Sequence, residues 1–256
     1  MSFYDIYINK SHPNWLNDVF IRYNQNILSH LLSFFPEEKQ INLLELGPGK
    51  GYFYQATKKW RKRISYSAFD RNDLILKSLN ISSIHKGEAP DLPKFNNKFD
   101  IIFASYLIEH LKDGEEVYEL IRNCKKNLSS GGLIVFLAPD ALSLKMEFWN
   151  MDYTHSFPTT RRNVAMAFYD NNIYKLKING YRDIDLFLSA NSKLWPRISF
   201  LIGICMIFYN YRIFNFLLSL FDRKTIDSQN NWFYRLYCFT KAKCLMFIAE
   251  VWIVEF

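Results

Sequence analysis

Leu43-Leu44-Glu45-Leu46-Gly47-Pro48-Gly49-Lys50-Gly51 is an apolar run that stops at three glycines spaced two apart. Ile41–Leu46 has the length and composition of a buried strand, and Tyr52–Arg63 beyond it reads as a helix. Glycines at a strand-to-helix turn let the backbone approach a ligand where a Cβ would collide. The start of the following helix offers unpaired N–H groups beside it. Glu45 stands two residues before the first glycine, and the GxGxG spacing differs from the GxGxxG of dinucleotide-binding turns. The stretch predicts a ligand-binding turn at the carboxyl end of a strand in an α/β sheet.

On the N-terminal side, Asn14–Phe35 carries Leu16, Phe20, Tyr23, Ile27, Leu31 and Phe34 at steps of three and four, a helix stopped by Pro36. On the C-terminal side, strands are expected at Ile64–Phe69 (closed by Asp70), Ser83–Lys86 (ending in Gly87) and Phe99–Ser105, with a helix at Asn72–Leu79. Asp113 followed by Glu116 marks the start of a helix running to Leu128. Ser129-Ser130-Gly131-Gly132 is read as a turn into a strand at Leu133–Leu137, which ends at Ala138-Pro139-Asp140. This alternation implies a parallel sheet with helices on both faces. Thr159 or Thr160 can cap a helix to about Asp170. Ile173–Ala190 reads as extended with a turn at Asn179-Gly180, and Cys244–Val254 closes the chain as a strand.

The 256 residues suffice for one large domain with an insertion. Cys124, Cys205, Cys238 and Cys244 form no CxxC pair, which argues against a disulfide scaffold or zinc ribbon. The start MSFYDIYINK lacks a cationic segment followed by an apolar run, so a cytoplasmic setting is expected. Net charge is +7, and the segment 191–243 holds eight basic residues against Asp222 and Asp227, or +6 of it. That segment is also rich in aromatics, among them Trp195, Phe208, Tyr211, Trp232 and Tyr234. Basic plus aromatic composition suits an anionic acceptor or a membrane surface; a cap with a solvated basic face would look the same. Its longest charge-free run, Ile198–Tyr211, is short of the ~20 apolar residues a membrane span needs.

Five segments in order resemble the class I S-adenosyl-L-methionine (SAM)-dependent methyltransferases: the glycine turn, Asp70, Gly87-Glu88-Ala89, FDIIFASYLIEHL at Phe99–Leu111 and LSSGGLIVFLAPD at Leu128–Asp140. The resemblance covers roughly residues 40–160. It implies a Rossmann-like, seven-stranded, mostly parallel α/β sheet with helices on both faces. The whole chain, 1–256, is then one domain: an N-terminal helical cap at 1–40, a core at 41–190, a mainly helical basic and aromatic insertion at 191–243, and a closing strand at 244–256. The resemblance assigns Glu45, Gly47, Gly49, Gly51, Asp70, Glu88, Ala89 and Ser105 to SAM, with Asp70 on the ribose hydroxyls and Glu88 and Ala89 at the adenine.

Methyl transfer to oxygen requires a hydroxyl relieved of its proton by a base or by a metal. Glu109-His110 follows the fourth strand, and Asp152-Tyr153-Thr154-His155 lies beyond the fifth. His155, His110, Glu109 and Asp152 are the catalytic candidates, with Asp152 expected to orient His155 and raise its basicity. The D-x-T-H segment resembles a group of bacterial methyltransferases often encoded with capsule and O-antigen genes. Small-RNA 2′-O-methyltransferases and some quinone O-methyltransferases carry E-x-x-E-H here as metal ligands. Tyr106 replaces the first Glu, leaving Glu109, His110 and His155 as a candidate set for Mg²⁺ or Mn²⁺. In the alternative, Glu109 and His110 cap a helix start without metal. His12, His30 and His85 read as surface or structural.

The expected function is O-methylation of a small or glycan-type anionic acceptor in bacterial capsule or lipopolysaccharide biosynthesis, with a phosphoramidate-type capsule modification as a narrower form. Metal-assisted 2′-O-methylation of RNA, O-methylation of a quinone-like molecule, and a non-catalytic SAM-binding module at a membrane are the alternatives. Peripheral contact with the inner face of a membrane is expected to run through 191–243. Nucleic-acid bases are disfavoured as acceptors, because Ala104-Ser105-Tyr106-Leu107 stands where base methyltransferases carry [DN]PPY or Pro-Cys.

Overall fold

The computed structural model describes residues 14–182 and 243–251. In chain order these form α1 (Asn14–Leu32), β1 (Ile41–Leu46), α2 (Tyr52–Thr57), β2 (Ile64–Asp70), α3 (Asp73–Leu79), β3 (Ile84–Lys86), β4 (Phe99–Ser105) and α4 (Gly114–Asn127). There follow β5 (Leu128–Pro139), α5 (Ala141–Leu144), α6 (Glu147–Met151), α7 (Arg161–Asp170), β6 (Leu176–Arg182) and β7 (Lys243–Val251). The strands make one seven-stranded sheet in the order β3-β2-β1-β4-β5-β7-β6. β1 to β5 are parallel, and β7 runs antiparallel to both β5 and β6. The sheet is the Rossmann-like α/β arrangement expected from the sequence.

Period-two alternation decides which side chain meets which helix layer. Leu44, Leu46, Ile102, Ala104, Ile134 and Phe136 face one side, where α4 adds Val117, Leu120, Ile121 and Cys124 and α7 adds Val164 and Phe168. Leu43, Ile101, Phe103, Val135 and Leu137 face the other, covered by Tyr23, Ile27, Leu28 and Leu31 of α1 and Phe53 of α2. Phe53 stacks on Phe103 with ring centroids 3.9 Å apart. Fully burying such a side chain contributes about 1.5–3 kcal/mol, so covering both faces fixes β4 as the centre of the core. Asp100 locks the amino edge of the sheet: its carboxylate accepts from Asn42 N at 2.9 Å and Ser129 Oγ at 2.8 Å, and pairs with Lys39 Nζ at 2.8 Å.

Three local expectations are corrected. The helix expected over Tyr52–Arg63 ends at Thr57 and tightens into a 3₁₀ turn at Lys58–Trp60. Ser129–Gly132 is not a separate turn but an irregular start of β5, with the register slipping between Phe99↔Leu128 and Ile101↔Leu133. The Ser129 hydroxyl, between Asp100 Oδ1 and Phe99 O, ties it to β4, and a Cβ at Gly132 would stand 2.8 Å from Leu128 Cγ, so only glycine fits. Asn179-Gly180 does not turn either; β6 runs straight through it, paired with Met246 and Leu245. The tertiary pairing with β7 overrides the local turn preference. The extent of the expected insertion falls almost wholly outside the described residues, as does His12. No helix among the described residues is long and apolar enough to cross a membrane.

Candidate active site

Parallel β1, β2 and β4 bring their carboxyl ends to one edge of the sheet, where open α/β sheets bind ligands. The glycine turn opens there. Gly47, Gly49 and Gly51 have φ of +68°, +51° and +72°, in the left-handed region that side chains disfavour. The turn closes on itself through Gly51 N to Pro48 O (2.8 Å) and is tied to β2 through Gly47 N to Phe69 O (2.9 Å). A Cβ at Gly49 would meet no atom of the described residues within 4 Å, so among them the backbone there borders open space.

Glu45 lies beneath the turn, 3% exposed, and its carboxyl takes a short hydrogen bond from the Tyr66 hydroxyl. Burial pushes its pKa up to about 8; Tyr66 opposes this and the Asp70 charge adds to it. Asp70 ends β2, and its Oδ1 accepts from Asn72 N at 2.7 Å. Burial raises the Asp70 pKa as well. Gly87 packs against the Phe69 ring, leaving room for nothing larger: a Cβ would stand 2.6 Å from Cε2. Glu88 is exposed and pairs with Arg71 at 2.8 Å, Ala89 packs against the core, and Ser105 is the half-buried last residue of β4. A backbone cradle bordered by open space, with a desolvated carboxylate one strand away, fits SAM. Gly47, Gly49 and Gly51 would hold its backbone-facing part and Asp70 its hydroxyls.

The segment after β4 touches this turn. Leu107 Cδ1 lies 3.4 Å from where a Cβ of Gly47 would sit, and a 3₁₀ turn at Ile108–His110 follows. Tyr106 enters it at φ +54°, a conformation a bulky side chain rarely adopts. Ser156 N and Phe157 N both donate to Glu109 O, at 2.9 and 3.1 Å, which pins the D-x-T-H segment against Glu109. Thr159 Oγ1 anchors the far end by donating to Pro139 O at the close of β5. Thus residues 109, 110, 152 and 155, separated by more than forty positions, converge. One ligand-type atom each from Glu109, His110 and His155 lies within 4.8 Å of the others. Thr160 caps α7 through Asn163 N.

Hydrogen bonding assigns the ring tautomers. Thr154 Oγ1 donates to Asp152 Oδ1 at 2.7 Å and therefore accepts from His110 Nδ1 at 2.8 Å. His155 Nδ1 donates to the Phe148 carbonyl at 2.5 Å. Both rings thus carry their lone pair on Nε2. The expected pairing of Asp152 with His155 is corrected: Asp152 orients His110 through Thr154, because its Oδ1 is taken by the Thr154 amide and hydroxyl in a tight Asx turn. Glu109 and His110 do not cap a helix; Asp113 caps α4.

Glu109 is fully buried, and neither carboxyl oxygen has a hydrogen-bond partner among the described residues. Desolvation pushes its pKa up to about 8, with Asp152 adding to the rise; its own N–H opposes this without reaching hydrogen-bond geometry. His110 is lowered from its ordinary value by burial first, then by His155. Arg71 also acts on His110, so the residue that pairs with Glu88 adds positive potential at the cluster. Sequence reading missed Tyr66, Arg71, Thr154 and the Phe148 carbonyl as partners. Only Thr154 had a local signal, lying inside the D-x-T-H segment.

The sequence model of a family described as "Methyltransferase domain" matches residues 20–174, more than half of the chain. No curated protein matches it. Among solved structures, a SAM-dependent methyltransferase from Archaeoglobus fulgidus is 16% identical, with 89% of this chain and 92% of that chain covered at a TM-score of 0.54. A phosphoethanolamine N-methyltransferase 2 from Haemonchus contortus, in complex with SAM, is 14% identical over 98% of this chain and 60% of that one, at a TM-score of 0.60. At these identities the likeness is one of fold. With a family match across β1 to α7, the chain belongs to the methyltransferase domain family and is a SAM-dependent methyltransferase.

Proposed function

We propose that the protein transfers a methyl group to a hydroxyl oxygen of an anionic small-molecule or glycan-type acceptor, of the kind found in bacterial capsule or lipopolysaccharide. The observation that carries this reading is the Glu109–His110–His155 cluster, which gathers two imidazoles and a carboxyl at the segment that touches the glycine turn. When bound, SAM supplies an electrophilic methyl on a sulfonium and leaves as S-adenosylhomocysteine. The cluster takes up the acceptor's hydroxyl proton, so that the oxygen can bond to carbon as the carbon–sulfur bond breaks, and the proton passes on to solvent. Thr154 and the Phe148 carbonyl hold the imidazoles so that their lone pairs need no reorganisation.

The acceptor's charge is inferred from the segment 191–243 with its +6. Support comes from the topology: Arg182 pairs with Lys243, and Asp140 N donates to Lys243 O, so the excursion between β6 and β7 leaves and returns at the edge that carries the cluster. Its basic residues are then available to an anionic acceptor or to anionic lipid headgroups at the inner face of a membrane.

The test is methyl transfer from radiolabelled SAM to hydroxyl-bearing sugar phosphates and to matched amines such as phosphoethanolamine. Label on the hydroxyl acceptors supports the reading, and label confined to the amines overturns it. Salt-sensitive sedimentation with anionic but not neutral vesicles supports the membrane arm; no sedimentation removes that arm alone.

A further inference from the structure

We propose that Glu109, His110 and His155 bind one divalent first-row transition cation, with Thr154, Asp152 and the Phe148 carbonyl holding the two imidazoles. The proposal deepens the reading of the same site and rests on it only for the use of the cation in turnover. Binding itself is tested without substrate.

Three observations carry it. First, a carboxyl group that is fully buried with neither oxygen partnered among the described residues is costly to keep, and a cation beside it removes the cost. Second, each imidazole donates its Nδ1–H to a fixed oxygen and keeps its lone pair on Nε2. That is the outer arrangement of metal-ligating histidines, one on a backbone carbonyl and one linked through a hydroxyl to a carboxylate. Third, the three ligand-type atoms already lie within 4.8 Å of one another. Ligands bound at about 2.1 Å stand roughly 3–4 Å apart, so the three side chains are already gathered near ligand spacing.

The donor set selects the metal. Two neutral imidazoles and one carboxylate match Zn²⁺, Co²⁺, Fe²⁺ or Mn²⁺ with positions left for other ligands, whereas Mg²⁺ prefers oxygen donors and keeps its waters. This sharpens the sequence expectation of Mg²⁺ or Mn²⁺: Mg²⁺ is the poorer match. A cation there would lower the pKa of a hydroxyl bound to it, and with the imidazole lone pairs then holding the cation this replaces proton uptake by the rings, the proton leaving to solvent.

The full chain, stripped with chelator and dialysed, is titrated with Zn²⁺, Co²⁺, Mn²⁺ and Mg²⁺ singly, by calorimetry and, for Co²⁺, by its visible ligand-field bands. Far-ultraviolet circular dichroism serves as the control for folding, and S-adenosylhomocysteine binding is measured separately. Expected are binding of one Zn²⁺ or Co²⁺ per chain, at least about 100-fold tighter than Mg²⁺, and loss of that binding in Glu109→Gln and His155→Ala. Thr154→Val, a positioning change, weakens Co²⁺ by about 10–100-fold and shifts its bands, and Thr154→Ser restores both. A folded wild type that binds neither Zn²⁺ nor Co²⁺, or undiminished binding in Glu109→Gln and His155→Ala, overturns the proposal. If the cation binds but S-adenosylhomocysteine does not, the methyltransferase reading falls and the metal site stands.

Discussion

The two halves of the active edge are built from different materials. The cofactor half is mostly backbone: three left-handed glycines, a loop closed on itself and a strand-end carboxylate, all within thirty residues. The half we propose for the acceptor is mostly side chain, drawn from the segment after β4 and the segment after β5 and joined through Glu109 O, Thr154 and Phe148. Backbone cradles are specified locally and tolerate variation around them. Side-chain clusters depend on tertiary contacts that no short stretch encodes.

The largest effect is expected on the acceptor half. His155→Ala should lower turnover about 10²–10⁴-fold, the range for losing a proton acceptor, while S-adenosylhomocysteine affinity stays within twofold or so. Measuring both on one preparation decides whether the halves are separable; a parallel fall in affinity would merge them.

The buried carboxyls beneath the two halves give a second test, read as stability against pH. In the metal-free chain Glu45 and Glu109 are each raised from 4.5 to about 8, so between those values the folded chain holds protons that the unfolded chain has released. Stability from these groups is therefore full below about pH 4.5, falls as pH rises, and levels off above about pH 8, by on the order of 3–5 kcal/mol per carboxyl. Glu45→Gln should remove roughly half of the slope in denaturant midpoints taken from pH 5 to 8.5. An unchanged slope would show that Glu45 titrates normally.

Gly49→Val should weaken S-adenosylhomocysteine binding by at least about 100-fold, because a branched side chain disfavours φ +51° and would occupy the open space beside the turn. Thermal unfolding should shift far less than binding does. Asp70→Ala is the mildest: about 1–3 kcal/mol of cofactor binding, from one lost charged hydrogen-bonding group, read by calorimetry.

The contrast also explains what the sequence disclosed. β1, β4 and the ends of α3 and α4 were legible because apolar runs and caps such as Asn72 and Asp113 act within a few residues. Asp70 and Gly87 were legible as strand ends. The route from Asp152 to His110 was not, because nothing in D-x-T-H reveals that Thr154 turns its hydroxyl toward a ring forty-four residues earlier. Ser129–Gly132 and Asn179-Gly180 misled for the same reason: neighbouring strands recruited them into pairing against their turn preference.

The pairing of Arg182 with Lys243 has a further consequence. Sixty residues separate the two, yet their backbones lie side by side in adjacent strands, so the excursion is inserted like a card in a slot. Splicing Arg182 to Lys243 through a four-residue hairpin would spare about 2 kcal/mol of closure entropy and leave every described strand in register. The sheet is thereby arranged so that the chain between these two strand ends can be shortened, lengthened or exchanged while β5, β7 and β6 keep their pairing.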